Sequence, residues 1–228
     1  MQLRDPLQAA ESVGLYEAIR SCRAVRRLRP DPIPEAVLAR VLQAAVCGPS
    51  GGNAQPWRVV VVRESAAKDR LAQLYRANWQ SYGDEAAARM QRLPEEKRAR
   101  GLRILEASAH LAEHLAETPV ILLFFHNVQL MVDPGEFDTY PRELIGASLY
   151  PAIQNLLLAC RAEGLGGVLT TMLWRQSAAI AALVDAPEPW TFHALVPIGY
   201  PLGKGQGPLN RKPLAAMAFS EIWGNGHG

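Results

Sequence analysis

Residues 48–62 read GPSGGNAQPWRVVVV. A bend of three glycines, two prolines, a serine, an asparagine and a glutamine runs into a tryptophan and, one arginine later, four valines in succession. Valine is stiff at its branched Cβ and favours pleated chain. The run predicts a strand at about 57–63, and its unbroken apolar character predicts the most buried strand of the protein. The bend before it has the opposite character. Gly51 and Gly52 let backbone approach a flat ligand closely. Pro49, Ser50 and Asn53 add donors and acceptors with little bulk, and the Asn53 and Gln55 amides carry paired groups suited to the edge of a heterocycle. Trp57 anchors the turn to the core. Taken alone, these residues read equally well as a structural loop between helix and strand.

Upstream, residues 35–47 place Val37, Leu38, Val41, Leu42 and Ala45 on one helical face. Pro34 suits the first turn, Glu35 suits its positive end, and Gly48 suits its C-terminal cap. Before it, LYEAIRSC (15–22) reads as a short helix and RAVRRLRPDPIP (23–34) as an extended, arginine-rich piece. Downstream, residues 65–117 are helical and charged with a break near Pro94, and Pro119 opens a second buried strand, VILLFF (120–125). A loop at 127–141 precedes a long helix at about 143–163, which Pro151 should kink by removing a backbone donor. GLGG (164–167) ends that helix. VLTTMLW (168–174) follows as strand or turn, then a helix at 175–184, a strand at 191–199 and a glycine-rich tail. The pattern predicts one α+β domain over 1–228, without repeats or an evident linker.

A net charge of +2 on 228 residues is too small for the whole protein to act as a polycation on nucleic acid or a membrane. Three cysteines, Cys22, Cys47 and Cys160, lie far apart without a C-x-x-C. Together with a beginning that lacks a signal-peptide core, they predict a reduced, cytoplasmic protein. The longest apolar run is far short of a membrane span. HLAEH (110–114) has the H-x-x-E-H spacing of a zinc site but no downstream carboxylate ligand, so it reads as two histidines near the end of an amphipathic helix, with no metal. GKGQG (203–207) lacks the G-K-[ST] ending and following helix of a phosphate loop and reads as a surface turn. Arg20, Arg23, Arg26, Arg27 and Arg29 form the densest basic stretch, either a solvated face or a clamp for phosphate oxygens. No nucleophile motif is present.

The order of the motifs decides between these readings. RAVRRLRPDPIP, one helix, GPSGGNAQPWRVVVV, then QNLLLACRAEGLGGVLTT, VPIGYP and NRKPL together resemble the nitroreductase family of FMN-dependent oxidoreductases across nearly the whole chain. The resemblance implies a central, mainly antiparallel sheet flanked by helices in an intertwined homodimer, with two FMN sites at the interface. Residues 210–228, ending in FSEIWG, would be an arm crossing to the partner subunit. Arg23 and Arg26 match the family's phosphate-binding motif, Arg27 is a further candidate, and Arg211 matches a second basic position that closes the clamp. Where the usual pattern has another arginine and a serine, this chain has Cys22 and Ala24. Pro49, Ser50, Gly51, Asn53 and Gln55 fall on the loop that contacts the flavin ring and ribityl chain. Leu169, Thr170 and Thr171 fall on the segment whose backbone N–H faces flavin N5.

The implied activity is ping-pong transfer of electrons from NADH or NADPH through bound FMN to a small organic acceptor such as a nitroaromatic or quinone. Flavin N5 carries the hydride, so no side chain need act as catalyst. Trp79, Tyr82, Phe137 and Tyr140 would line a lid over the flavin face, or pack against the core or the partner subunit. Two alternatives keep the fold: another flavin chemistry (dehalogenation, azoline oxidation, flavin cleavage) or a non-catalytic FMN-binding protein.

Overall fold

A computed structural model describes residues 13–133 and 142–227. Phe137 and Tyr140 lie outside them. In chain order the elements are α1 (Leu15–Ser21), α2 (Glu35–Val46), β1 (Trp57–Val62), α3 (Ser65–Gln91), α4 (Glu95–His114), β2 (Val120–His126), α5 (Tyr150–Ala162), β3 (Gly166–Gly167), α6 (Ser177–Leu183) and β4 (Thr191–Gly199). The strands form one antiparallel sheet in the order β1-β2-β4-β3.

The sheet is covered on both faces, and the two-residue repeat of β2 explains how. Successive side chains of a strand point to opposite faces. Val120, Leu122 and Phe124 pack with Leu38 and Val41 of α2 and Ile153 and Leu156 of α5. Ile121, Leu123 and Phe125 pack with Leu71 and Tyr75 of α3, Leu111 of α4 and Ile180 of α6. The most buried strand is therefore β2 and not the valine run. β1 is a sheet edge with Val59, Val60 and Val61 only half-buried, beside an apolar recess of about 450 Å³. An apolar run reports low polarity on both faces; it does not say how many neighbouring strands pair with it.

Two punctuation marks act differently from the expectation. Gly48 has no left-handed backbone; a Cβ there would lie 2.7 Å from the backbone N and Cα of Ala152. It is glycine so that the end of α2 can touch the start of α5. Pro151 does not kink a long helix. Residues Arg142–Ser148 form a 3-10 stretch and α5 begins only at Tyr150, so Pro151 sits in its first turn, where a missing N–H costs nothing. Pro34 lies just outside α2, as its N-cap. Gly164, at φ +74°, is the left-handed stop of α5 that GLGG promised.

β2 and β4 slip register between Phe124 and Phe125: Phe124 faces Ala194, whereas Phe125 faces Phe192. His193 is the extra residue of this bulge, a device that re-aims a side chain.

Candidate functional site

The arginine-rich segment is an extended ribbon pinned along the β3 side of the sheet. Val25 N–H donates to Gly167 O at 2.9 Å, Arg29 N–H to Tyr200 O at 2.8 Å, and Leu202 N–H to Arg27 O at 2.9 Å. Gly166 permits the approach, since a Cβ there would meet Val25 Cβ at 2.7 Å. Val25 is thereby buried, while Arg23 and Ala24 are exposed and Arg26 is half-buried.

Arg23, Ala24 and Arg26 open onto a groove of about 570 Å³. Its far wall is α4, through Arg100, Arg103, Ile104 and Ala107, and its end is Pro208–Arg211. Among the described residues no carboxylate lines it. Burial lowers the Arg26 guanidinium below its usual range, opposed by the nearby Tyr75 and Tyr82 hydroxyls. The expected trio Arg23, Arg26 and Arg211 thus converges. Arg27 goes elsewhere: it donates to Glu106 Oε1 at 2.7 Å and lies outside the groove.

The turn GKGQG delivers Arg211 to this place and is more than a surface turn. Gln206 Oε1 accepts from Arg23 N–H at 3.3 Å, Gln206 Nε2 donates to Leu165 O at 2.9 Å, and Gly207 N–H donates to Ser21 O at 3.2 Å. Gln206 is a clip between tail and ribbon. Nothing in the spacing of the sequence singled it out.

The glycine-rich bend forms a stiff, exposed lip. Gly51–Asn53 make a 3-10 turn, with Gly52, Asn53 and Gln55 at φ of +56°, +54° and +49°. Two non-glycine residues in the left-handed region within three positions are uncommon and mark a constrained loop. Ser148 Oγ accepts from Gly51 N–H at 3.1 Å, Ser50 Oγ accepts from Gln55 N–H at 3.1 Å, and the Gln55 amide donates to Asn53 Oδ1 at 3.3 Å. Pro49, Ser50 and Gly51 line a second recess of about 360 Å³ with Met131, Leu144 and Ala147. Lip and arginine groove share no lining residue within one subunit.

Leu169 packs against the core. Thr170 exchanges both backbone bonds with Leu195 at 2.9 Å, and its hydroxyl meets Tyr75 Oη at 3.2 Å. Burial raises the Tyr75 hydroxyl above its ordinary range. Thr171, one residue on, is exposed and its N–H has no acceptor among the described residues. Of the aromatic candidates, both on α3, Trp79 packs against the core and Tyr82 stays exposed with its ring 5.7 Å from that of Trp79.

His110 and His114 stack on each other at 4.2 Å, and His114 Nδ1 meets Glu117 Oε1 at 2.7 Å. Among the described residues no three potential ligands gather into a metal site. Burial raises the thiols of Cys22 and Cys160, which keeps both in the unreactive protonated form. Among the described residues no helix is long and apolar enough to cross a membrane.

The chain is similar to known proteins in sequence and fold. A model of the nitroreductase family matches residues 19–200. An NADH dehydrogenase of Thermus thermophilus is 33% identical over 201 residues, covering 86% of this chain and 91% of the relative. A 5,6-dimethylbenzimidazole synthase of Rhodospirillum rubrum is 36% identical over 190 residues, covering 82% of each. A crystal structure of oxidised iodotyrosine deiodinase bound to FMN and 3-iodo-L-tyrosine has the same fold, with a TM-score of 0.60, 24% identity, and coverage of 88% of this chain and 94% of that one. On a match of this extent, and on relatives alike over most of both chains, the protein belongs to the nitroreductase family.

Proposed function

We propose that the protein is an FMN-dependent oxidoreductase that passes electrons from NADH or NADPH, by a ping-pong mechanism, to a small organic acceptor such as a nitroaromatic or a quinone. One observation carries the reading: Arg23, Arg26 and Arg211 converge, from the two ends of the chain, on a groove whose described lining residues include no carboxylate. A phosphate monoester carries about −1.5 to −2 charge near neutral pH. Guanidinium forks match its oxygens in charge and in geometry.

Bound FMN supplies the hydride-accepting centre and holds the electrons between the two half-reactions. The chain's own residues position it. The Thr171 N–H is an unspent donor for the ring, and the lip at Pro49, Ser50, Gly51, Asn53 and Gln55 offers backbone and amide groups to a flat heterocycle. Since lip and groove line different recesses, the complete site lies between two copies, the lip of one facing the groove of the other. Exposed apolar side chains on the tail, Leu214, Met217, Ile222 and Trp223, fit an arm that packs on a partner subunit.

The purified protein should be yellow and release FMN on heating. Arg23→Ala and Arg211→Ala should each weaken FMN by about 1.5–3 kcal/mol, read by fluorescence titration. Unchanged affinity in both overturns the phosphate site. NADH or NADPH should bleach the flavin in stopped flow, and a nitroarene or quinone should restore its colour. A flavin that stays oxidised with both donors makes the protein a store. The likeness to a 5,6-dimethylbenzimidazole synthase supports a second reading, in which reduced flavin itself is consumed. Aerobic turnover with loss of flavin and release of that benzimidazole decides for it.

A further inference from the structure

We propose that Arg100 and Arg103 of α4 complete the phosphate clamp, replacing the arginine and serine that this chain lacks at Cys22 and Ala24. The inference rests on the FMN reading above. Cys22 does not contribute: its thiol meets Leu157 O at 3.5 Å, on the side of α5. Ala24 lines the groove but its side chain has no donor to offer. The ribbon alone therefore presents two guanidiniums, Arg23 and Arg26, and the tail a third, Arg211.

α4 supplies two more. Residues 100, 103, 104 and 107 are spaced as one face of a helix, and all four line the groove. A side chain outside the groove sets that face. Glu106 holds Arg27 of the ribbon at 2.7 Å, which fixes α4 alongside the segment that carries Arg23 and Arg26. Charge separates these arginines from others in the chain. Arg20, Arg27, Arg29, Arg40, Arg63 and Arg161 each have a carboxylate within 4.0 Å. Arg100 and Arg103 have no carboxylate partner among the described residues and line the groove together with Arg23, Arg26 and Arg211, with no acid among its described lining residues. Five arginines bordering one groove favour a dianionic group between them. The cofactor's phosphate then bridges α4 to the ribbon, so its binding firms the α3–α4 hairpin as well as holding the flavin.

The test separates phosphate from ring. FMN and riboflavin are titrated, by fluorescence, into the flavin-free protein and into Arg100→Ala, Arg103→Ala, the double variant and the two Arg→Lys variants, with helix content checked by circular dichroism. Each alanine should weaken FMN by about tenfold, the expected loss of one charge-assisted bond. The double variant should lose more, lysine should restore part, and riboflavin affinity should not move. In hydrogen exchange, FMN but not riboflavin should slow the amides of α4. Unchanged FMN affinity in the double variant overturns the proposal. So does an equal loss for FMN and riboflavin, which would mark a structural role. If the intact protein fails to prefer FMN over riboflavin, or Arg23→Ala and Arg211→Ala both leave FMN untouched, the phosphate site falls together with this proposal.

Discussion

His126, at the end of β2, is half-buried, and its Nδ1 is buried without a hydrogen-bond partner among the described residues. Its ring lies edge-on to that of His193, 5.2 Å away, and His193 Nε2 in turn meets Tyr150 Oη at 3.0 Å. Burial, and then the neighbouring His193, lower its pKa to about 4. The unfolded chain takes up this proton near the ordinary histidine value, about 6.5, and the folded chain only near 4. Between those values the unfolded state binds more protons, so stability falls as pH is lowered through that window. Urea unfolding at pH 7 and pH 5 should show the loss, and His126→Phe should flatten the slope; an unchanged slope would assign the acid sensitivity to other groups. A similar contrast separates the thiols. Cys47 is exposed and Cys160 is buried, so a thiol reagent should modify Cys47 in the native protein and reach Cys160 only on unfolding. The arginines of the ribbon were legible in the sequence as a motif, with their convergence implied by the resemblance. Arg100 and Arg103 were not, because a helix's charged residues announce a solvated face and give no sign of which neighbour that face meets.

At the scale of elements, the junction of α2 and α5 is the tightest requirement on sequence. Gly48→Ala puts a methyl against the backbone of Ala152, and backbone within a helix cannot turn aside as a side chain can. The expected cost is about 1–3 kcal/mol in chemical denaturation. Gly52→Ala is the control: a Cβ there meets nothing within 4 Å, although φ is +56°, so its cost should be only about 1–2 kcal/mol, from backbone conformation alone. Equal stability for Gly48→Ala and the parent protein would show that the helices can slide apart. The bidentate pair Arg40–Glu163, with both contacts at 2.7 Å, fixes the far end of the same two helices. The two helices themselves were readable, α2 from its apolar stripe and α5 from the glycine that stops it. The start of α5 was misplaced because Pro151 is compatible with either a kink or a first turn, and periodicity does not distinguish 3-10 from α over one or two turns. β1 was placed correctly and its rank in the sheet wrongly, for pairing partners come from distant chain that a local pattern does not contain.

At the scale of the whole molecule, the proposed site needs two copies. Light scattering on the eluted protein should give a dimer. Removing residues 213–228 keeps Arg211 but discards the exposed Leu214, Met217, Ile222 and Trp223. That truncation should loosen the dimer and release flavin, whereas a truncated protein that stays dimeric and fully loaded would show that the tail has no such part. The outer margin of β1 adds a constraint of another kind. Among the described residues β1 pairs only with β2, which leaves its other side as an unpaired template for foreign strands. Valine-rich ribbon with a bare margin is the raw material of insoluble deposits. If a second copy shields it, mass action makes a high concentration of the protein itself protective. Warmed samples should then turn cloudy sooner when dilute than when concentrated, the reverse of ordinary coagulation.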